Sequence, residues 1–189
     1  MIGTNKIKAA VFISGTGSNL KALYKFSLTK RSPIKIDLVI SNYKNAKGLL
    51  FSKKKKINTK IFNFNKRIVI ENKILKELKK RKIKLICLAG FMKILSKNFI
   101  KKFKGKIINT HPSLLPKYKG LNTYQRAIDN KDKFSGCTIH FVNQKLDSGK
   151  IILQKKVKIS KLDTSKSLAK RILKEEHKLF PKAIMKMYS

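Results

Sequence analysis

The chain has 189 residues, 42% of them hydrophobic, with 47 Lys+Arg against 9 Asp+Glu and a formal charge of +38. That is about one domain, long enough to bury roughly 70% of its unfolded surface and too apolar for the disordered class. No apolar run approaches the ~20 residues that span a bilayer, and no signal-peptide, twin-arginine or prenylation layout is found.

Short apolar runs alternate with helical patterns, which predicts an α/β fold on a parallel sheet. Strands are expected at Lys8–Ser14, Lys35–Ser41, Thr59–Asn63, Lys84–Ala89 and Lys106–Asn109. Helices are expected at Ser18–Leu28, near Ala46–Lys56, at Arg67–Arg81, at Ser96–Lys102 with Ser96 as cap, and at Thr123–Asn130. Thr138–Val142 and Ile151–Val157 read as two later strands, antiparallel across a turn. Ser165–Met187 reads as a long amphipathic helix interrupted near Pro181. Nothing marks an internal repeat, linker or boundary, so one domain, residues 1–189, is expected.

Cys87 and Cys137 have no paired spacing, so neither a zinc site nor a disulfide framework is indicated, and both read as small buried residues of a reduced, cytoplasmic protein. His111, His140 and His177 are too few and scattered for a metal site, and none is expected. A charge of +38 raises the question of nucleic acid. The lysines, however, are spread along the whole chain rather than gathered in one arm. Lys, Ile and Asn share A/T-rich codons, and compositional drift accounts for all three together. No functional nucleic-acid partner is expected, although anionic substrates gain faster, salt-sensitive association from such a field.

The stretch Asn109-Thr110-His111-Pro112-Ser113-Leu114-Leu115-Pro116 carries the most information. It follows the apolar pair Ile107-Ile108. Residues at i and i+2 of an extended segment share a face, so Asn109 and His111 should point together from the carboxyl end of a strand. An amide donor beside an imidazole can do chemistry on a carbonyl. Thirty-six residues after His111, Leu146-Asp147-Ser148-Gly149 presents a carboxylate in a glycine turn.

Ile13-Ser14-Gly15-Thr16-Gly17-Ser18-Asn19-Leu20 joins the first strand to the first helix. Glycines admit an anion close to the backbone, and free N–H groups at a helix start attract phosphate. Leu20 stands where a dinucleotide fingerprint needs a third glycine, and the Gly-Lys-Ser/Thr ending of a P-loop is absent, so NAD and ATP are disfavoured. A monophosphate fits, held by the amides of Gly17 and Ser18 and the side chains of Ser18 and Asn19. Leu88-Ala89-Gly90-Phe91-Met92-Lys93-Ile94-Leu95 leaves its strand through a glycine. An apolar loop there suits a flat aromatic ligand, although Phe91, Ile94 and Leu95 would equally serve as core.

ISGTGSNLKAL, LAGFMKILS, INTHPSLLPKYKG, GCTIHFV and LDSGKIILQ stand here in the order found in the phosphoribosylglycinamide formyltransferases of purine synthesis, which the chain resembles from Ile13 to Gln154. Glu175-Glu176-His177 before Pro181 is a weaker match in the last helix. The resemblance implies a Rossmann-like sheet with helices on both faces. It also implies transfer of a formyl group from 10-formyltetrahydrofolate to the amine of glycinamide ribonucleotide. Asn109, His111 and Asp147 resemble the catalytic trio. Gly17, Ser18, Asn19 and Glu176 resemble the ribonucleotide site. Arg67, Met92, Lys93, Ile94, Leu95, Asn143, Gln144, Lys145 and Leu146, with Asn109 and Asp147, resemble the folate site. The partners implied are these two small molecules, with no membrane and with the enzyme a monomer or homodimer.

The chain departs from the family pattern at Lys93 (commonly Arg), at Asn122 (commonly His) and at Lys150 (commonly a small residue or Pro), and it ends early at Ser189. Three rivals are separable. A methionyl-tRNA formyltransferase is expected to carry a further RNA-binding domain, and its sequence after the SLLP motif differs from KYKGLNTYQ. A formyltetrahydrofolate hydrolase does not call for a phosphate loop. A nucleic-acid-binding α/β protein calls for aromatic–basic interleaving, whereas the 5 Tyr and 11 Phe mostly sit in apolar runs.

Overall fold

The computed structural model describes residues 6–189. Two compact units, 1–108 and 109–189, divide the chain within the strand Lys106–His111.

In the first unit, β1 (Ile7–Ile13) pairs parallel with β2 (Ile34–Ser41) and with β4 (Leu85–Leu88), and β2 pairs parallel with β3 (Asn58–Ile61). Ala9 to Ile13 and all of β4 are buried, as expected for strands covered on both faces. Helices α1 (Ser18–Ser27), α2 (Lys47–Lys54), α3 (Arg67–Lys80) and α4 (Lys97–Lys102) turn apolar stripes to this core. Leu20 and Leu23 of α1, and Ile74 and Leu78 of α3, are almost fully buried. Each contributes about 1.5–3 kcal/mol. Ser96 caps α4 by accepting from the Phe99 N–H at 3.0 Å. Lys53, Lys54, Lys79 and Lys80 occupy last turns, where cations complement the helix dipole.

β5 (Lys106–His111) runs two residues further than its apolar pattern predicts, so Asn109 and His111 both lie on the strand. In the second unit α5 (Thr123–Asp129) leads to β6 (Phe134–Phe141), which pairs antiparallel with β7 (Ile151–Lys158). β6 begins four residues earlier than expected. Its opening residues Phe134-Ser135-Gly136 carry no apolar alternation, and main-chain pairing with β7 makes them strand. At Gly136 a Cβ would meet the Lys155 carbonyl oxygen at 2.0 Å.

α6 (Ser165–Tyr188) opens on a capping box between Thr164 and Ser167 and packs on β6, β7 and α5. Contrary to expectation it runs through Pro181 unbroken. Proline inside a helix costs about 3 kcal/mol. Leu179, Phe180, Ala183 and Ile184 bury on both sides of it, and that packing outweighs the lost hydrogen bond. Among the described residues, no helix is long and apolar enough to cross a membrane.

Candidate active site

His111 is buried, and both of its ring nitrogens have neighbours. Nε2 lies 2.8 Å from the Tyr118 carbonyl oxygen, and Nδ1 lies 3.4 Å from Asp147 Oδ2. A carbonyl only accepts, so Nε2 carries a hydrogen. Nδ1 is therefore the ring nitrogen left to face the carboxylate. Asp147 is itself in the left-handed region (φ 44°), which Asp tolerates better than most residues. Its Oδ2 also accepts from the Gly120 N–H at 2.9 Å. One carboxylate oxygen thus joins the 117–120 turn to the imidazole.

Asn109 stands two residues before His111 on the same face of β5, as the spacing predicts. Its Nδ2 is 3.2 Å from His140 Nε2. His140 Nδ1 in turn is 2.8 Å from the Phe141 carbonyl oxygen. Burial pushes the His140 pKa below its ordinary value, against the opposing pull of Asp147, whose Oδ1 lies 3.7 Å from Nε2.

The loop that follows β5 is clamped from β6 and β7. Thr138 Oγ1 donates to the Ser113 carbonyl at 2.6 Å and accepts from the Leu115 N–H at 3.1 Å. Gln154 Nε2 donates to the Leu115 carbonyl at 2.8 Å and to Thr138 Oγ1 at 2.9 Å. Thr123 Oγ1 donates to the Pro112 carbonyl at 2.8 Å. Tyr118 has φ 56°, and its hydroxyl donates to Asp132 Oδ2 at 2.8 Å. Burial pulls the Asp132 carboxyl up, but hydrogen bonds from Lys117 and Tyr118 prevail and hold it low. Asn122 caps α5 in the left-handed conformation, with its side chain exposed.

The 143–148 turn is solvent-facing. Asn143 ties it internally, accepting from the Lys145 N–H at 2.9 Å and donating to the Ser148 carbonyl at 3.1 Å. Gln144, Lys145 and Leu146 are exposed, and Lys119, Asn143, Gln144, Lys145 and Ser148 line an open depression. At Gly149 a Cβ would lie 1.7 Å from the Phe141 carbonyl oxygen, so only glycine closes this turn. Lys150 is exposed beside it.

Glu176 is buried on α6 (4% exposed) and is not the solvated residue a surface helix would carry. Burial first, and then the Glu176 charge, raise the pKa of Tyr124 on α5 and of Cys137 on β6, the latter to about 12. Cys87 is likewise held as a thiol by burial.

In the first unit, Gly17 (φ 71°) is the N-cap of α1, and no side chain caps the first turn. A Cβ on Gly17 would meet Gly48 Cα at 2.7 Å, and the Gly48 N–H donates to the Gly15 carbonyl at 3.0 Å. Gly15 and Thr16 are exposed and Ser18 half-buried, whereas Asn19 is buried. The exposed edge of the loop is therefore Gly15 and Thr16, with Ser18 partly open beside them. Ser14 Oγ donates to Asn42 Oδ1 and accepts from the Met92 N–H at 2.7 Å, which ties the loops after β1 and β4 together.

In that second loop Met92, Lys93 and Ile94 are exposed, while Leu95 is buried. Phe91 anchors the loop edge-on between Phe12 and Phe64, with centroids at 5.3 and 5.5 Å. Arg67 lines an open depression with Lys66, Ile68, Val69 and Ser96, and its Nε lies 3.3 Å from Glu71 Oε1. Among the described residues, no group of three His, Cys, Asp or Glu stands close enough to hold a metal.

Sequence reasoning missed His140, Thr138, Gln154, Tyr118 and Gly48. Four of them, all but Gly48, lie inside the motifs GCTIHFV, LDSGKIILQ and INTHPSLLPKYKG, and that placement was the available signal.

A formyl transferase family model matches residues 7–184. The chain is 43% identical over 180 residues to a phosphoribosylglycinamide formyltransferase of Haemophilus influenzae, which covers 94% of this chain and 85% of that protein. It is 41% identical over 186 residues to the trifunctional purine biosynthetic protein adenosine-3 of Gallus gallus, covering 97% of this chain. It spans 18% of that relative's length. The crystal structure of phosphoribosylglycinamide formyltransferase from Brucella melitensis superposes with a TM-score of 0.91 at 40% identity, covering 97% of this chain and 96% of that one.

Proposed function

Because the chain belongs to the formyl transferase family, we propose that it transfers a formyl group from 10-formyltetrahydrofolate to the amine of glycinamide ribonucleotide, a step of purine biosynthesis. Both units are taken as one formyltransferase domain, a reading supported by the single family model over residues 7–184. The observation that carries the proposal is the His111–Asp147 pair at 3.4 Å with Asn109 on the same strand face.

The amine nitrogen attacks the formyl carbon, and the carbonyl oxygen becomes an oxyanion. An Asn109 N–H donates to that oxygen; removal of such a donor costs about 10²–10³ in rate. The attacking amine must lose a proton, and folate N10 must gain one as its bond to carbon breaks. Asp147 takes the first proton. The imidazole of His111 exchanges it through Nδ1, because Nε2 is committed to the Tyr118 carbonyl. The proton count balances without another reactant. Proton transfer by a positioned group contributes about 10²–10⁴ in rate.

In this reading the N-terminus of α1, with Gly17, Ser18 and Asn19, holds the ribonucleotide phosphate. Support comes from the N-cap Gly17, which makes no side-chain cap at the start of α1, and from the exposure of Gly15 and Thr16. Glu176 binds the glycinamide end. The folate lies against Met92, Lys93, Ile94 and Leu95 and the turn at Asn143, Gln144, Lys145 and Leu146, with Arg67 toward its acidic tail. Exposed Met92 and Ile94, 66% and 63% accessible, are the apolar surface that supports a flat ring there. The enzyme works in the cytoplasm on these two small molecules, as a monomer or homodimer, without a metal.

The test is the ultraviolet change as 10-formyltetrahydrofolate loses its formyl group, with and without glycinamide ribonucleotide. Loss that requires the ribonucleotide is the expected result. Loss without it would instead make the protein a hydrolase. No loss in either mixture, followed by formylation of methionyl-tRNA, would overturn the choice of acceptor.

A further inference from the structure

The side-chain amide of Asn109 has two ends, and only one serves an oxyanion. With an N–H toward the reacting oxygen it stabilises the developing charge. With Oδ1 toward that oxygen it repels it. The surroundings of His140 decide between them. The Phe141 carbonyl, 2.8 Å from His140 Nδ1, only accepts, so Nδ1 carries the hydrogen of the neutral ring. Nε2 then holds a lone pair and is an acceptor. The amide end of Asn109 that lies 3.2 Å from Nε2 must donate, so it is Nδ2. Turned round, Oδ1 would oppose the Nε2 lone pair at the same distance.

From this geometry we infer that His140 is a positioning residue: it holds the Asn109 amide with its nitrogen forward, leaving the second N–H of Nδ2 for the formyl oxygen. This inference rests on the proposed formyl transfer. His140 does not touch the reacting atoms in this account; it acts through Asn109. Burial supports the neutral ring that the arrangement needs. The ionisable groups that face His140 are Asp147, with Oδ1 at 3.7 Å from Nε2, and His111. Gly149 belongs to the same device. A side chain there would strike the Phe141 carbonyl that fixes the His140 tautomer.

The test pairs His140→Leu with Asn109→Ala in a double-mutant cycle and adds His140→Gln, whose Oε1 can accept from Asn109. Loss of the orienting hydrogen bond is expected to lower kcat about 10–100-fold in His140→Leu, with both KM values within about twofold of wild type. His140→Gln is expected to recover part of that loss. In the Asn109→Ala background, His140→Leu is expected to cost less than about twofold, because the two residues act as one unit. Long-range ¹H–¹⁵N spectra of the wild type are expected to show the hydrogen on His140 Nδ1 at pH 7. A folded His140→Leu with wild-type kcat would overturn the inference. So would losses that multiply in the cycle, or a spectrum with the hydrogen on Nε2. Should His140→Leu fail to fold, His140→Gln and the spectrum decide. Should the wild type transfer no formyl group, the function reading fails and the spectrum still decides the tautomer.

Discussion

The loop after β1 and the loop after β5 are both shaped for a ligand, but they are held in opposite ways. Gly17 and Gly48 bring two backbones within a distance that no side chain allows, and a main-chain hydrogen bond from Gly48 to Gly15 closes the contact. The loop from Pro112 to Gly120 is held by side chains that reach in from elsewhere: Thr138, Gln154, Thr123 and Asp147. The first is rigid because something is missing, the Cβ atoms. The second is rigid because specific donors and acceptors are present. Substitutions should therefore break them by different routes.

The largest effect is expected at the chemistry that the second loop supports. His111→Ala is expected to lower kcat by about 10³-fold or more while the protein stays folded, since it removes the proton partner of Asp147. Steady-state turnover beside a thermal melt checks this. Next comes Gly17→Ala, which combines a left-handed residue with a 2.7 Å approach to Gly48 Cα. A loss of about 3 kcal/mol is expected in denaturant unfolding, with a rise in the ribonucleotide KM that exceeds any rise in the folate KM. An equal rise in both would remove the phosphate from this loop.

Thr138→Val keeps the shape and removes the hydroxyl. It leaves the Ser113 carbonyl and Leu115 N–H without their partner, at a cost of about 2 kcal/mol, and it is expected to lower kcat by loosening the turn that carries the Tyr118 carbonyl. Unfolding and turnover measured on one preparation separate the two effects.

The smallest effect is a pH dependence. His140 and His177 are both pushed below their ordinary pKa by burial. Between the unfolded value of about 6.5 and the lowered folded values, the unfolded chain binds more protons than the folded one. Their stabilisation is thus complete above about pH 6.5 and is lost as pH falls through the folded values. His177→Gln is expected to flatten that slope in unfolding measured across pH 5–7.

The same contrast governs how much of the molecule is legible in its sequence. Strands with continuous apolar runs, the Ser96 cap and the shared face of Asn109 and His111 follow from local spacing, and the structure carries all three. The glycine loop is visible as a pattern, yet its partner Gly48 is not, because the approach is between backbones 31 residues apart. His140 reads as a stray histidine until β6 brings it to Asn109. Thr138 and Gln154 read as ordinary strand residues until they meet the 113–115 turn. Pro181 reads as a break because propensity is local and the packing that overrides it is not. Burial is equally hidden for polar residues: Asn19 and Glu176 are both inside, although polar side chains on helices ordinarily face solvent. Pairings across the fold are decided by topology, and no periodicity reports them.

The most direct measurement of the central claim is the turnover of Asp147→Asn against wild type, with ribonucleotide binding and thermal unfolding measured on the same samples. Asparagine keeps the size of the side chain but cannot take the amine's proton. The account predicts a fall in kcat of about 10²-fold or more with binding and folding retained. A folded Asp147→Asn protein that binds ribonucleotide and turns over within about twofold of wild type would contradict it.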